Sequence, residues 1–257
     1  MGQPAHRERA VVVTFCIAIR VNEGVVALSD TRVLRGNEMS TKSKLSMLGD
    51  GGGEAVVMTS GLRSVRDKVV ARLEDELRAA TTPHRRMHEL ATAYGQVWRT
   101  VRTEDEEALN AGGLSFNSHA ILAGQFADDD QPVLMHVYPE GNWVEATDDA
   151  PYVIIGRTTS GKPILDRLLT VDTPLDRALA LAYVAFDATR ASASDVDFPV
   201  DVAVLERNRD RFVSRRYTSD DLGTVHDAWL DGLRAALDAL PTDWSRPLLT
   251  IPEQESP

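Results

Sequence analysis

The chain has 257 residues, with 28 lysines and arginines against 39 aspartates and glutamates and a formal net charge of −11 at pH 7. The length allows one large domain with a substantial core. The acidic balance argues against a nucleic-acid partner, and the single cysteine, Cys16, excludes a disulfide framework and a cysteine-based zinc site. No apolar run is long enough for a membrane span or fits a secretory signal, so we expect a cytoplasmic protein without a membrane partner.

The first part of the chain is dominated by strand signals. We expect residues 1–13 to be a flexible extension, because they are polar and charged around Gly2 and Pro4. β-branched runs and turn residues such as Asn22-Glu23-Gly24 and Gly36-Asn37 predict paired strands. The predicted strands cover 11–19, 25–28, 45–48 and 55–59.

Two helices are predicted next. Val65, Val69, Leu73 and Leu77 recur every four residues, which is typical of an amphipathic helix, here over 62–80. Pro83 separates this helix from a second one that the same periodicity predicts over 87–109.

The second half of the chain returns to strands and then to helices. Strands are predicted at 119–124, 133–138, 142–146, 152–155, 200–206 and 212–217, helices at 162–169, 175–190 and 220–240, and a surface tail at 241–257. Grouped strands beside grouped helices are not the alternation of a parallel sheet. The order predicts an α+β fold in which two antiparallel sheets pack face to face, with helix layers outside, as a single domain over 14–240.

Several motifs resemble one known family. Thr14-Phe15-Cys16, Asn22-Glu23-Gly24 and Ser29-Asp30-Thr31-Arg32 resemble the start of proteasome-type β subunits and, more closely, that of Anbu, the bacterial ancestral β subunit family. Matching segments continue through Gly161-Lys-Pro-Ile-Leu-Asp-Arg167 and Ala185-Phe-Asp-Ala-Thr-Arg190, so the likeness runs from Thr14 to about Arg207. It implies an N-terminal-nucleophile hydrolase with a four-layer αββα sandwich that assembles with itself into a ring or a helix.

The resemblance also implies a catalytic set. Thr14 matches the nucleophile, and Asp30 and Arg32 follow at the family's spacing. Lys44, followed by Leu45, matches the family lysine best, and Lys42 is the competitor.

Supporting positions are implied further along the chain. Gly61 would offer its backbone N–H to the oxyanion. Thr158, and Ser192 or Ser194 after Arg190, fall near the family's supporting polar positions.

The chemistry of these residue types agrees with the roles that the resemblance implies. A threonine hydroxyl is a poor nucleophile until a base, here the α-amine of the same residue, takes its proton. Lys44 beside that amine would lower the amine's pKa by like-charge repulsion, and Asp30 would keep the lysine charged. No cofactor or metal is needed. We expect Cys16 to be a buried strand residue, and the histidines, including His119 and His136, receive no role.

The sequence departs from the family pattern before Thr14. Val13 precedes it, and with residues 1–13 attached Thr14 carries an amide in place of an amine. Either residues 1–13 are a propeptide, or synthesis begins at Val13 and the initiator Met is removed; we favour the second. The leading hypothesis is a threonine-type peptidase acting on peptides or unfolded proteins. There are two alternatives. The first is an inactive assembly protein in which residues 1–13 block the site, and the second is an amidase that acts on a non-peptide substrate.

Overall fold

The computed structural model describes residues 14–35 and 38–249, without the side chains of 34–39. Within these residues the strands are β1 (Phe15–Val21), β2 (Gly24–Asp30), β3 (Arg32–Arg35), β4 (Glu38–Thr41), β5 (Leu45–Gly49), β6 (Gly53–Thr59), β7 (Ala120–Phe126), β8 (Val133–Val137), β9 (Trp143–Glu145), β10 (Tyr152–Gly156), β11 (Val200–Glu206) and β12 (Val213–Tyr217). The helices are α1 (Arg63–Ala79), α2 (Met87–Ala111), α3 (Lys162–Leu168), α4 (Leu175–Arg190), α5 (Ser219–Asp238) and α6 (Arg246–Leu249).

The strands form two five-stranded antiparallel sheets and one small hairpin. The first sheet has the order β10-β1-β2-β11-β12, the second has the order β5-β6-β7-β8-β9, and β3 pairs with β4. All residues of β1 and β2 are buried, as expected for central strands covered on both faces.

Two apolar layers and two helix pairs complete the sandwich. Small and medium side chains fill the space between the sheets, among them Cys16, Ala27 and Met58. On the outside, α1 and α2 bury a larger cluster against the second sheet, and α4 packs on β1 and β2, where the rings of Phe15 and Phe186 lie 6.0 Å apart. These layers confirm the predicted α+β, four-layer αββα architecture.

Several local boundaries differ from the prediction. β1 begins at Phe15 and ends at Val21, whereas the prediction was 11–19, of which 11–13 lie outside the described residues. β3 and β4 were not predicted as strands, because these short charged segments carry no apolar alternation; the turn predicted at 36–37 lies outside the described residues. The predicted tail contains a 3₁₀ turn at Asp243–Ser245 and helix α6.

The chain divides into two compact units between Ser219 and Asp220. The first holds the three sheets and α1 to α4, and the second holds all of α5 but its first residue, together with α6. The domain limits expected from the sequence, 14–240 and 241–257, stay a prediction. No helix of the described segments has the length and apolarity needed to cross a membrane.

Candidate active site

Thr14 lies directly before β1 and is 1% exposed. The register of β1 with β10 places Phe15 opposite Gly156, and the Thr14 carbonyl accepts the N–H of Arg157 at 2.9 Å. Gly156 has φ +89°, and a Cβ at this position would lie 1.8 Å from the Thr14 oxygen. Only glycine therefore allows the end of β10 to approach Thr14 this closely.

Asp30 ends β2 next to Thr14 and is fully buried. The pairing of Cys16 with Ser29 brings the end of β2 alongside the start of β1. Asp30 Oδ1 accepts both the N–H of Phe15, at 2.8 Å, and the Nζ of Lys44, at 2.6 Å. Asp30 Oδ2 accepts the N–H of Arg32 at 3.2 Å. Burial raises the pKa of Asp30, and the Lys44 ammonium and the two backbone donors oppose part of that rise.

The structure brings Lys44, and not Lys42, to Asp30. Lys44 is buried, just before β5, and its ammonium forms an ion pair with Asp30. Lys42 has an exposed side chain, and its backbone N–H donates to the carbonyl of Thr31 at 2.8 Å. A buried charge needs a partner of opposite sign, and Asp30 supplies it for Lys44.

Arg32 connects the end of β2 to the loop that follows α4. Its guanidinium donates to the carbonyl of Ser194 at 2.8 Å and to Oδ2 of Asp197 at 3.2 Å. The hydroxyl of Thr31 donates to the carbonyl of Pro199 at 2.7 Å in the same loop. Ser194 thus meets the predicted set through its backbone oxygen, while its side chain is exposed.

Gly61 follows β6 with φ +95°, and a Cβ there would lie 2.0 Å from Oγ of Ser118. Among the described residues, no acceptor engages the Gly61 N–H. Gly61, Gly156 and Thr158 line one cleft of about 500 Å³. A carbonyl oxygen entering this cleft would find the Gly61 N–H available as a donor.

Ser192 lies just after the end of α4, and its supporting role stays a prediction. Its hydroxyl donates to the carbonyl of Ala188 at 3.2 Å, at the end of α4. The described residues therefore form one buried group of Thr14, Asp30 and Lys44. Arg32 and Ser194 flank it, and Gly61 and Thr158 face the neighbouring cleft.

Sequence reasoning missed two residues of the cleft. His119 and His136 line it, and His119 Nδ1 lies 3.0 Å from His136 Nε2. His136 lies on β8 and His119 directly precedes the neighbouring strand β7, so no spacing motif marks them. Cys16 is fully buried, as predicted, and burial raises the pKa of its thiol to about 12. Among the described residues, no group of three or more histidine, cysteine, aspartate or glutamate side chains is arranged to hold a metal ion.

Comparisons with known proteins agree with this geometry. The family model described as proteasome subunit matches residues 13–205. Anbu from Yersinia bercovieri and the Anbu complex from Pseudomonas aeruginosa, described as a helical assembly, are each 32% identical, with TM-scores of 0.81 and 0.82.

The Gly-1 mutant of Anbu from Hyphomicrobium sp. strain MC1 is 32% identical with a TM-score of 0.80. Each of these three matches covers 89% of this chain and 98% of the other. A search of curated proteins gave no match. The buried group at the start of β1, the two-sheet sandwich and these matches lead to one conclusion: the chain belongs to the proteasome subunit family and, within it, to the Anbu proteins.

Proposed function

We propose that the chain is a threonine-type hydrolase of peptide bonds, with Thr14 as its nucleophile once Thr14 is the N-terminal residue. One observation supports this most strongly. A single oxygen of the buried Asp30 carboxylate accepts both the Lys44 ammonium and the N–H of Phe15, the residue next to Thr14. This arrangement holds a positive charge beside the place where the Thr14 amine would stand.

The charge has a chemical consequence for a free amine at Thr14. An ammonium nearby disfavours a second positive charge, so the amine stays neutral at a lower pH and accepts a proton from the Thr14 hydroxyl. Oγ1 then attacks the substrate carbonyl, and the Gly61 N–H stabilises the resulting oxyanion. The protonated amine next donates its proton to the leaving amine, and water hydrolyses the ester to restore Thr14.

The neighbouring cleft suits a peptide. Its lining includes Gly61, the proposed oxyanion donor, and combines apolar side chains such as Leu62 and Ile154 with hydroxyl, amide and imidazole groups. We take the substrates to be peptides or unfolded proteins in the cytoplasm.

Assembly with further copies of the same chain is part of the proposal. The Pseudomonas aeruginosa relative is described as a helical assembly, and this chain covers 98% of it. Proteins of one family that share a fold over almost their full length commonly use related interfaces, and closed or helical arrangements follow from repeating one interface.

A covalent probe tests the proposal. A peptide epoxyketone reacts through its ketone with a threonine hydroxyl and through its epoxide with the amine of the same residue. The chain is made with Met directly before Thr14, so that removal of the Met leaves a free threonine amine, and the intact mass is measured after incubation with the probe. The proposal predicts one adduct per chain, located on Thr14.

Two controls sharpen that test. Thr14→Val keeps the β-branched shape but removes the hydroxyl, and the 257-residue chain lacks the amine; both are expected to stay unlabelled. A folded, Thr14-initiated protein that takes up no probe would refute the proposal and favour an inactive assembly protein. Labelling without cleavage of any peptide would favour an amidase.

A further inference from the structure

Two imidazole rings, those of His119 and His136, form part of the wall of the cleft. His136 lies on β8 opposite Ile121, and His119 directly precedes β7, so neighbouring strands bring the rings together. The ring of Tyr138 lies beside both, with its centroid 4.4 Å from that of His136.

Backbone contacts tie this pair to the proposed oxyanion position. The N–H of Ser60, the residue before Gly61, donates to the carbonyl of His119 at 2.9 Å, and the N–H of His119 donates to the Ser60 hydroxyl at 3.1 Å. The rings therefore stand at a fixed distance from Gly61.

The distance between the two facing ring nitrogens determines which hydrogen-bond donor and acceptor the pair can present to a ligand. At 3.0 Å, His119 Nδ1 and His136 Nε2 share one hydrogen, so one ring donates and the other accepts. A neutral imidazole carries one N–H. One of the two outer nitrogens is therefore a donor and the other an acceptor, and exchange of tautomers swaps them.

We propose that the His119–His136 pair recognises the polar tip of an uncharged substrate side chain, of the tyrosine or glutamine kind, in a subsite beside the scissile bond. This inference rests on the proposed function and specifies its substrate class. The apolar body of the side chain would lie against Leu62 and Ile154, and its tip would bond to an outer ring nitrogen.

The rest of the lining excludes charged side chains. Its other polar members include Ser115, Asn117 and Thr158, and no aspartate, glutamate, lysine or arginine is among the described lining residues. A charged side chain entering this cleft would lose water without gaining an opposite charge, which is costly.

The charge state of the pair supports the same selectivity. Burial and, to a smaller extent, the neighbouring His119 together lower the pKa of His136 to about 4. Burial also lowers the pKa of His119, and Glu140 opposes part of this change. Among the described residues, Tyr138 lies beside both rings and Glu140 acts on His119 through its charge. The wall is therefore uncharged near neutral pH, and the selectivity is expected to stay constant between about pH 7 and about pH 8.

Peptide profiling tests the inference. The protein is produced in its native host, so that its processing and assembly are left to the cell, and is incubated with peptides in which each position around the cleaved bond is varied. Rates of product formation are measured by mass spectrometry. The decisive comparison is tyrosine against phenylalanine, because the two side chains differ only in the hydroxyl that the pair would bind.

We expect the peptide with tyrosine at one position next to the cleaved bond to have a kcat/KM about tenfold higher than the peptide with phenylalanine there. This factor corresponds to the free energy of one hydrogen bond. Glutamine should exceed glutamate and lysine there by at least the same factor. His136→Phe should bring the tyrosine-to-phenylalanine ratio close to one. His88→Phe, on the exposed face of α2, is the matched control and should leave the ratio unchanged.

The possible failures are distinguishable. If no peptide is cleaved, the proposed function fails, and this inference fails with it. If peptides are cleaved without a tyrosine preference at any position, or with a preference that His136→Phe leaves intact, the inference alone is overturned. Should His136→Phe not fold, the ratio of the unaltered protein still decides, since a ratio near one contradicts the proposal.

Discussion

At the scale of single residues, the site depends on one carboxylate that serves three donors. Asp30 is fully buried and accepts the Lys44 ammonium and the N–H groups of Phe15 and Arg32. Burying one of these charges alone would be costly, whereas the hydrogen-bonded pair compensates much of that cost. The same contacts fix the ammonium beside Thr14, so stability and the proposed chemistry rely on the same atoms.

Replacing Lys44 with methionine tests this double role. The change keeps a long unbranched side chain but leaves Asp30 buried without its cation, so we expect a loss of about 3 kcal/mol in the free energy of unfolding. The Thr14 amine also loses the positive neighbour that keeps it unprotonated, and probe labelling of Thr14-initiated protein should slow by about a hundredfold or more. Chemical denaturation and timed intact-mass measurements give the two values.

Lys42→Met is the matched control for that variant. The Lys42 side chain is exposed, and its contact to Thr31 is made by the backbone, so both values should stay near those of the unaltered protein. Equal losses in the two variants would contradict the assignment of Lys44.

At the scale of elements, glycines allow strand ends to approach the site. Gly156 and Gly51 share φ +89°, but a Cβ on Gly156 would meet the Thr14 carbonyl, whereas a Cβ on Gly51 would meet nothing within 4 Å. An alanine at Gly51 would therefore show the cost of backbone strain alone, and an alanine at Gly156 would show that cost together with the cost of steric overlap.

We expect Gly51→Ala to cost about 1 kcal/mol, the strain of an L residue at positive φ. Gly156→Ala should cost about 2 kcal/mol more, because β10 must move away from Thr14, and probe labelling should fall with it. Thermal unfolding of both variants measures the difference. Equal destabilisation would show that β10 does not pack on Thr14 as described.

The contact between Asp50 and the connection from α1 to α2 should make the stability of the protein depend on pH. The Asp50 carboxylate accepts the N–H and Nδ1 of His84, at 2.7 and 2.6 Å, and the N–H of Gly52 at 3.1 Å. Burial alone would raise the pKa of Asp50, but these hydrogen bonds outweigh it, and the pKa is lowered from 3.8. A lowered carboxylate pKa gives stability that is present above the unfolded value and is lost as the pH falls through the folded one.

Asp50→Asn should therefore be less stable than the unaltered protein at neutral pH, by about 1 kcal/mol or more. The difference should shrink below pH 3.8. Urea denaturation at a series of pH values measures it. A difference independent of pH would show that the charge of Asp50 plays no part.

Much of the architecture, but only part of the candidate site, could be predicted from the sequence. Apolar periodicity places α1 at 62–80, against Arg63–Ala79 in the structure, because one face of this helix is buried throughout. It carries no comparable signal for β3 and β4, which are short and charged.

Some residues of the candidate site are marked by a sequence motif, and others are brought together only by the fold. Thr14, Asp30 and Lys44 lie close in sequence on one hairpin and the strand region after it, so a motif names them. His119 and His136 meet only because β7 pairs with β8, so no spacing in the sequence marks their contact.

At the scale of the whole molecule, the second compact unit carries apolar side chains that point to assembly. On α5 and after it, Leu237 is 68% exposed and Trp244 is 76% exposed, and Leu233, Leu240 and Leu248 are also exposed. Exposed apolar groups of this density are typical of an interface. We propose, as part of the proposed assembly, that they contact a second copy of the chain.

Leu233→Glu combined with Leu237→Glu should weaken that assembly, because burying two carboxylates in an apolar contact is costly. We expect the particle mass to fall towards the 28.2 kDa of one chain, as measured by light scattering. Ala235→Glu adds a charge to the opposite face of α5 and should leave the mass unchanged. An unaltered particle mass in the double variant would place the interface elsewhere.

The central claim, that Thr14 is an N-terminal nucleophile, has one direct test. The intact mass and N-terminal sequence of the protein purified from its native host show whether the Thr14 amine exists in the cell. We predict a chain that begins at Thr14. A chain that retains residues before Thr14 would lack the general base and would contradict the proposed catalysis.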